Sequence, residues 1–375
     1  MTHMVSAARS CLPTKKHTWN AARASYVRGP RCLFGKRIHQ TLSRIIESVR
    51  CQSADAEHSR YLRVHGAVVE GLEVMPALVS VLQALGGTLV DPADRSDMNP
   101  LLIPIVKNSD GSVVAMLRLP QTRSVQEMAV VKTRPQSTYI QLLARRADEF
   151  IHRAMAEEDW NNAQMGISDR PIAAAAGEYG AALYEQNSVA TSGLPSLNAY
   201  IARKVGMFLD VCEELVQAHL DKGDPMSGLI TAEWYMRDGQ FPNWGKPYEY
   251  VSDLMISSMN RKEEGRDIAR LALKTPWWTL EKGFEHIKAT SGLTGDADSI
   301  RKTLLEQEEM ANVGALQGKY KTNPKSNEEE RIEEASHLLN KVVAGECSWA
   351  DIRPELEAKY ELAGLIDMAR FIAII

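Results

Sequence analysis

Apolar residues change their spacing near residue 136, and that change constrains the fold more than any single motif. Beyond it they recur at the three- and four-residue steps that put side chains on one face of a helix. The segment "LNAYIARKVGMFLDVCEELVQAHLDKG" places Ile201, Val205, Phe208, Leu209, Cys212, Leu215 and Val216 on one stripe, with Gly223 after the last turn. Asp224-Pro225 then caps and opens a second helix, in which Met226, Leu229, Ile230 and Trp234 point one way until Gly239. Two such segments in succession predict an antiparallel helical hairpin. Upstream, "STYIQLLARRADEFIHRAMAEEDW" predicts a helix carrying Ile140, Leu143, Ala147, Phe150, Ile151 and Ala154. Downstream, a helix is predicted over 262–274. Two further faces are made by Ile332, Ala335, Leu338, Leu339 and Val342, and by Tyr360, Leu365, Met368, Ala369 and Ile372.

Before residue 136 the pattern differs. "VMPALVSVLQALGG" reads as a helix with Pro76 in its first turn and Gly86-Gly87 ending it. "NPLLIPIVKNSDGSVVAMLRLP" holds two β-prone runs around Asn108-Ser109-Asp110-Gly111, a hairpin signal, and "MAVVKTR" adds a strand. The fold class is therefore α+β and predominantly α. A small α/β module at 58–135 precedes an irregular, repeat-like domain of α-helical hairpins at 136–291. A polar linker is expected over 292–328, around "GKYKTNPKSNEEE", and C-terminal helices over 329–375. "SGLITAEWY" and "DIARLALKT" align at an offset of about 40 residues, a period in the range of helical repeats.

Within residues 1–50 ten Lys and Arg face a single acid, Glu47; this opening carries +9, and since the whole chain is at −4 the remainder carries −13. A hydroxyl-rich, acid-poor, basic opening without an uninterrupted apolar core is the composition of an organellar transit peptide. A basic arm for nucleic acid is the weaker reading, because the acidic remainder repels phosphate backbones. Composition does not separate plastid from mitochondrion. No run reaches the roughly 18 apolar residues of a membrane helix. The five cysteines form no CxxC, so neither a disulfide framework nor a zinc site is expected; Cys212 and Cys347 read as small buried hydrophobes.

Catalytic patterns fail in turn. Gly35-Lys36, Gly245-Lys246 and Gly318-Lys319 do not complete a P-loop, and neither GxGxxG nor GxSxG occurs. No histidine has a second one four residues away on a helix, so no metal is expected. His152, near Glu157, Glu158 and Asp159, is the best enzyme candidate; a solvated helix end explains those carboxylates more simply. The aromatics stand out: Trp234, Tyr235, Phe241, Trp244 and Tyr248 in "AEWYMRDGQFPNWGKPYEY", and Trp277 and Trp278 in "LALKTPWWTL". Aromatics on a proline-stiffened loop suit protein contact, and the same residues suit closing a core; packing is the stronger expectation for both groups. The mixed charges around them argue against an RNA surface.

The strings "VDPADRSDMNPLLIPI", "FIHRAMAEED", "TAEWYMRDGQFPNWGKPYEY" and "ALKTPWWTL" resemble a plant and algal plastid family, protein in chloroplast ATPase biogenesis, over most of residues 58–290. The resemblance implies a non-catalytic stromal factor, needing no cofactor, that helps assemble the F1 sector of the chloroplast ATP synthase by holding its γ subunit, with β as a further partner. The mitochondrial matrix is the alternative location, and an RNA-binding or other helical-repeat adaptor the alternative function. The family strings carry no catalytic code, so the seven aromatics stand as the candidate protein contacts.

Overall fold

The computed structural model describes residues 57–237, 239–315 and 325–374, all within one compact unit, Val49–Ile375. The basic opening lies outside the described residues. Helix α1 (57–64) and α2 (Met75–Ala84), with Pro76 in its first turn, precede the sheet. Five strands follow, β1 (Thr88–Leu89), β2 (Leu102–Lys107), β3 (Val113–Leu117), β4 (Ala129–Thr133) and β5 (Gln141–Ala144), as an antiparallel meander in sequence order. The Asp-Gly hairpin joins β2 to β3: Gly111 takes φ 80°, and Asp110 Oδ1 accepts from the Ser112 backbone N–H at 2.9 Å.

The helix expected to begin near residue 137 begins at Ala147 instead, because residues 141–144 pair with β4 as the edge strand. Leu142 and Ala144 are buried while Gln141 and Leu143 are only partly so, a period of two. A short apolar run fits both periods, and pairing with β4 decides. Helix α3 (Ala147–Met165) then crosses the sheet and meets α4 (Pro171–Leu183) and the short α5 (Ser188–Thr191). The expected continuous helix over 197–221 is also interrupted. It comprises α6 (Leu197–Tyr200), a wide turn over Ile201–Val205, an extended Gly206 and α7 (Leu209–Asp221). A Cβ at Gly206 would stand 2.8 Å from the Glu149 carboxyl carbon, so a larger residue here would have to displace that carboxylate.

Helical hairpins follow. α7 packs on α8 (Pro225–Met236), and α9 (Lys246–Ser257) on α10 (Lys262–Ala272), so the two segments aligned at an offset of about 40 occupy the second helix of each pair. A one-turn segment at Trp277–Thr279 leads to α11 (Phe284–Ser291) and α12 (Ala297–Ala315). α12 occupies most of the stretch read as polar linker. Among its described side chains the buried stripe is Ala297, Ile300 and Leu304, packed into a cluster with Trp277, Phe284 and Ile287, a stripe too narrow to stand out in a polar sequence. Residues 316–324 of the expected linker are outside the described residues. α13 (Asn327–Val343) opens with a capping box, Ser326 with Glu329, and α14 (Trp349–Leu362) with another, Ser348 with Asp351.

The last helix, α15 (Ile366–Ala373), returns to the N-terminal module. Arg95 Nη2 donates to the Phe371 carbonyl at 2.9 Å, and Arg353 Nη2 to the Arg95 carbonyl at 2.7 Å while its Nη1 reaches Ile372. These cations satisfy carbonyls that a helix C-terminus leaves open. One hydrophobic cluster runs from Leu62 and Leu78 through the sheet to Trp349, Tyr360 and Phe371. The architecture is α+β and mostly α, with the sheet in the N-terminal part.

Candidate protein-binding surface

The α7–α8 hairpin turns on Gly223, at φ 74°, and Asp224, whose carboxylate accepts from the Ser227 N–H at 3.0 Å as the α8 cap. α8 is apolar on two faces. Its inner face buries Gly228, Leu229, Ala232 and Tyr235. A Cβ at Gly228 would stand 3.0 Å from the Leu220 side chain, so the two helices meet closely there. The outer face carries Met226, Ile230 and Trp234 at successive four-residue steps, and these are 64%, 61% and 37% exposed. Leu229 therefore parts from the other three residues with which it was grouped. A helix apolar nearly all round is normally covered on all sides, and here the described residues leave one stripe open.

Of the seven aromatic candidates, Trp234 is the one presented on the surface. Tyr235 is fully buried: its hydroxyl donates to Glu213 at 3.1 Å, and its ring meets Phe241 and Tyr250 edge-on at 5.3 and 5.9 Å. Trp244 and Trp278 pack edge-to-face at 5.8 Å, and Trp277 stacks on Phe284 at 4.2 Å with its Nε1 donating to the Leu273 carbonyl. Trp277 and Trp278 are each 2% exposed. Tyr248 is half-buried between the two hydrophobic clusters. The corner is also held through its backbone: the Ile140 N–H donates to the Trp278 carbonyl at 2.8 Å, and Asn340 accepts from the Trp277 N–H at 2.9 Å. Thus "PWWT" ties the sheet, the hairpins and α13 together.

A cleft of about 550 Å³ opens between β5, α3 and α7, with Arg153, Glu157, Asp210, Glu213, Lys246 and Glu281 among its lining. Both of its cations are held in ion pairs, and its carboxylates outnumber them. Arg153 bonds Glu157 at 2.7 Å and both oxygens of Asp210 at 2.8 and 2.6 Å, while Lys246 lies 3.5 Å from Glu213 and also pairs with Glu281. Burial raises the Glu213 carboxyl, with Lys246 opposing. His152 does not line this cleft. Its ring lies against Tyr184 and Tyr200, burial pushes it below the ordinary imidazole value, and Nε2 has no partner. Nor do Glu157 to Asp159 sit at a helix end, since α3 continues to Met165. Glu158 accepts from the Ile172 and Ala173 N–H groups at 2.7 and 2.9 Å, capping α4, and Asp159 accepts from the Tyr184 hydroxyl at 2.6 Å. Among the described residues no hydrogen bond joins His152 to these carboxylates. Among the described residues no three His, Cys, Asp or Glu side chains gather to hold a metal, and burial pushes the Cys212 thiol up to about 12.

Sequence reasoning found the residue types on α8 and missed the division between its faces. The available signal was the four-residue spacing of Met226, Ile230 and Trp234, which separates them from Leu229 on a helical projection.

Three family profiles match the chain in succession: PAB N-terminal over residues 56–204, PAB middle domain over 209–297 and PAB C-terminal domain over 299–374. A protein of Arabidopsis thaliana described as "Protein IN CHLOROPLAST ATPASE BIOGENESIS, chloroplastic" is 32% identical over 295 residues, which is 79% of this chain and 84% of the relative. No solved structure matches. The chain thus belongs to the family of the protein in chloroplast ATPase biogenesis, the one its distinctive strings resemble.

Proposed function

We propose that this protein is a non-catalytic assembly factor of the chloroplast stroma that binds a subunit of the ATP synthase F1 sector during its assembly, the γ subunit first and β second. The observation that carries this reading is the outer face of α8, where Met226, Ile230 and Trp234 stand open on a rigid helix backed by a packed hairpin. An apolar stripe one helix long, flanked by exposed Lys222, Glu233 and Arg237, has the form of a helix-docking surface with a polar rim. The partner's apolar helix would lie across this stripe until its permanent neighbour displaces the factor. The name of the Arabidopsis relative supports the choice of ATP synthase biogenesis, and the basic opening of the chain supports import. The unlinked His152 and the paired charges of the large cleft favour binding over catalysis.

The experiment is affinity capture from chloroplast extract with the tagged chain and with Ile230→Glu. The substitution places a charge at the centre of the stripe and leaves the inner face of α8 intact. The γ subunit should be recovered by the wild type and lost with the variant, while far-ultraviolet circular dichroism stays unchanged. Capture without γ or β, or equal recovery by both proteins, overturns the reading. Enrichment of RNA in place of F1 subunits would point to the adaptor alternative.

A further inference from the structure

We infer that two adjoining clefts on either side of the turn at residues 119–122 form a site for a short peptide segment in which an apolar side chain precedes a carboxylate. One cleft, of about 500 Å³, is lined mainly by apolar residues, among them Leu101, Leu119, Pro276, Trp278 and Tyr360, together with Glu127. Trp278 brings to it an indole N–H that is buried and has no acceptor. The other cleft, also about 500 Å³, is lined by Arg118 and Arg123 on one side and by Glu328, Asp367 and Met368 on the other. Pro120, Gln121 and Thr122 line both, so the two clefts share a wall and one extended segment spans them.

Arg118 supplies the specificity. It is 3% exposed; its Nε donates to the Gly66 carbonyl at 2.6 Å and its Nη1 meets the Met368 sulfur, while Nη2 makes no hydrogen bond among the described residues. No carboxylate among the described residues lies within ion-pair distance of it. Behind it, Arg95 and Arg353 are also buried and hold only neutral oxygens, with the Phe371 ring 4.0 Å from the Arg95 guanidinium and 5.1 Å from that of Arg118. Among the described residues these three buried guanidiniums have no carboxylate within ion-pair distance, with Asp367 acting on Arg118 from further off, and burial lowers the pKa of each. The cleft at Arg118 is the mouth of this cluster, and Arg123 stands exposed there with no ion pair among the described residues. Asp367 and Glu328 on the facing rim disfavour a doubly charged phosphate, so a singly charged carboxylate is the anion that fits. The neighbouring apolar cleft requires that this carboxylate be tethered to an apolar group, as in an apolar-acidic peptide. The site is separate from the α8 stripe and does not depend on it.

The test is fluorescence polarisation of the whole protein with two labelled hexapeptide pools. Both carry Leu or Phe at the first two positions; one ends in Asp or Glu, the other in Asn or Gln. The acidic pool should bind saturably and about tenfold more tightly than its amide counterpart, the worth of one charge-assisted hydrogen bond. Arg118→Gln should abolish that preference, Ser336→Trp, which fills the apolar cleft, should weaken both pools, and Ile230→Glu should change neither. Equal binding of the two pools, or no saturation by about 1 mM, overturns the site. Should Arg118→Gln fail to fold, Arg123→Gln and Ser336→Trp decide: if neither weakens the acidic pool, the inference is wrong.

Discussion

Glu249 shows how much a single side chain organises in this fold. Its carboxylate is fully buried in α9 and accepts from the backbone N–H groups of Glu281 and Lys282 at 2.9 and 2.8 Å, fixing the exit from the tryptophan corner. Glu249→Ala orphans two donors and should cost roughly 2–5 kcal/mol in urea unfolding; Glu249→Gln, which keeps one acceptor oxygen, should cost about half as much. Trp277→Ala removes the stack on Phe284 and the bond to Leu273, and should cost about 3–5 kcal/mol, whereas Trp234→Ala should cost under about 1 kcal/mol. Equal losses at the two tryptophans would contradict the assignment of one to core and the other to surface. The sequence displayed these aromatics but not their fates: Trp234 and Tyr235 are neighbours on one helix, yet one is exposed and the other sealed. Burial depends on what packs from elsewhere in the chain, which a local pattern does not encode. Glu249 likewise looked like any wet-face glutamate, because its partners lie more than thirty residues away.

Elements with a wide apolar stripe were legible, and those with a narrow one were not. α8, α10 and α13 appear close to where periodicity places them, while α12 was hidden by a narrow buried stripe and β5 by a run short enough for either period. α12 is held to α13 by polar contacts as well: Asp298 bonds His337 at 2.6 Å and Lys341 at 2.8 Å. Lys341 and then His337 hold the Asp298 carboxyl below the usual range, and burial pushes His337 below the ordinary imidazole value against the pull of Asp298. Both groups take up protons more readily in the unfolded chain, so the stability they contribute is complete above about pH 6.5 and is lost on acidification, His337 first and Asp298 below about pH 4. His152 is depressed by burial and adds a loss of the same sign, so the useful quantity is a difference. The melting temperature should fall between pH 7 and pH 5, and His337→Gln should shrink that fall. A variant with an unchanged pH profile would show that the α12–α13 contact carries no such linkage.

At the scale of the whole molecule, the three profile-matched regions are consecutive in sequence but interlocked in space. The first and last share one hydrophobic cluster, and Arg95, Arg118 and Arg353 join them through bonds spanning 250 residues or more. No periodicity announces such contacts, and the expectation of separate N-terminal and C-terminal parts is what a chain read locally must give. A fragment ending at residue 343 would lack α14 and α15 and with them the carbonyl acceptors of Arg95, the Met368 contact of Arg118 and the buried Tyr360 and Phe371. Two buried cations would then face either water or an apolar void, and local opening of the N-terminal module relieves both. Limited trypsin digestion should therefore cut the fragment after Arg95 and Arg118 at an enzyme ratio that leaves both sites intact in the full chain. Adding Arg353→Ala to the full chain should give an intermediate pattern, because it breaks the bridge to Arg95 while keeping both helices. A fragment as resistant as the full chain would mean that the N-terminal module folds alone and that the C-terminal helices merely lean on it.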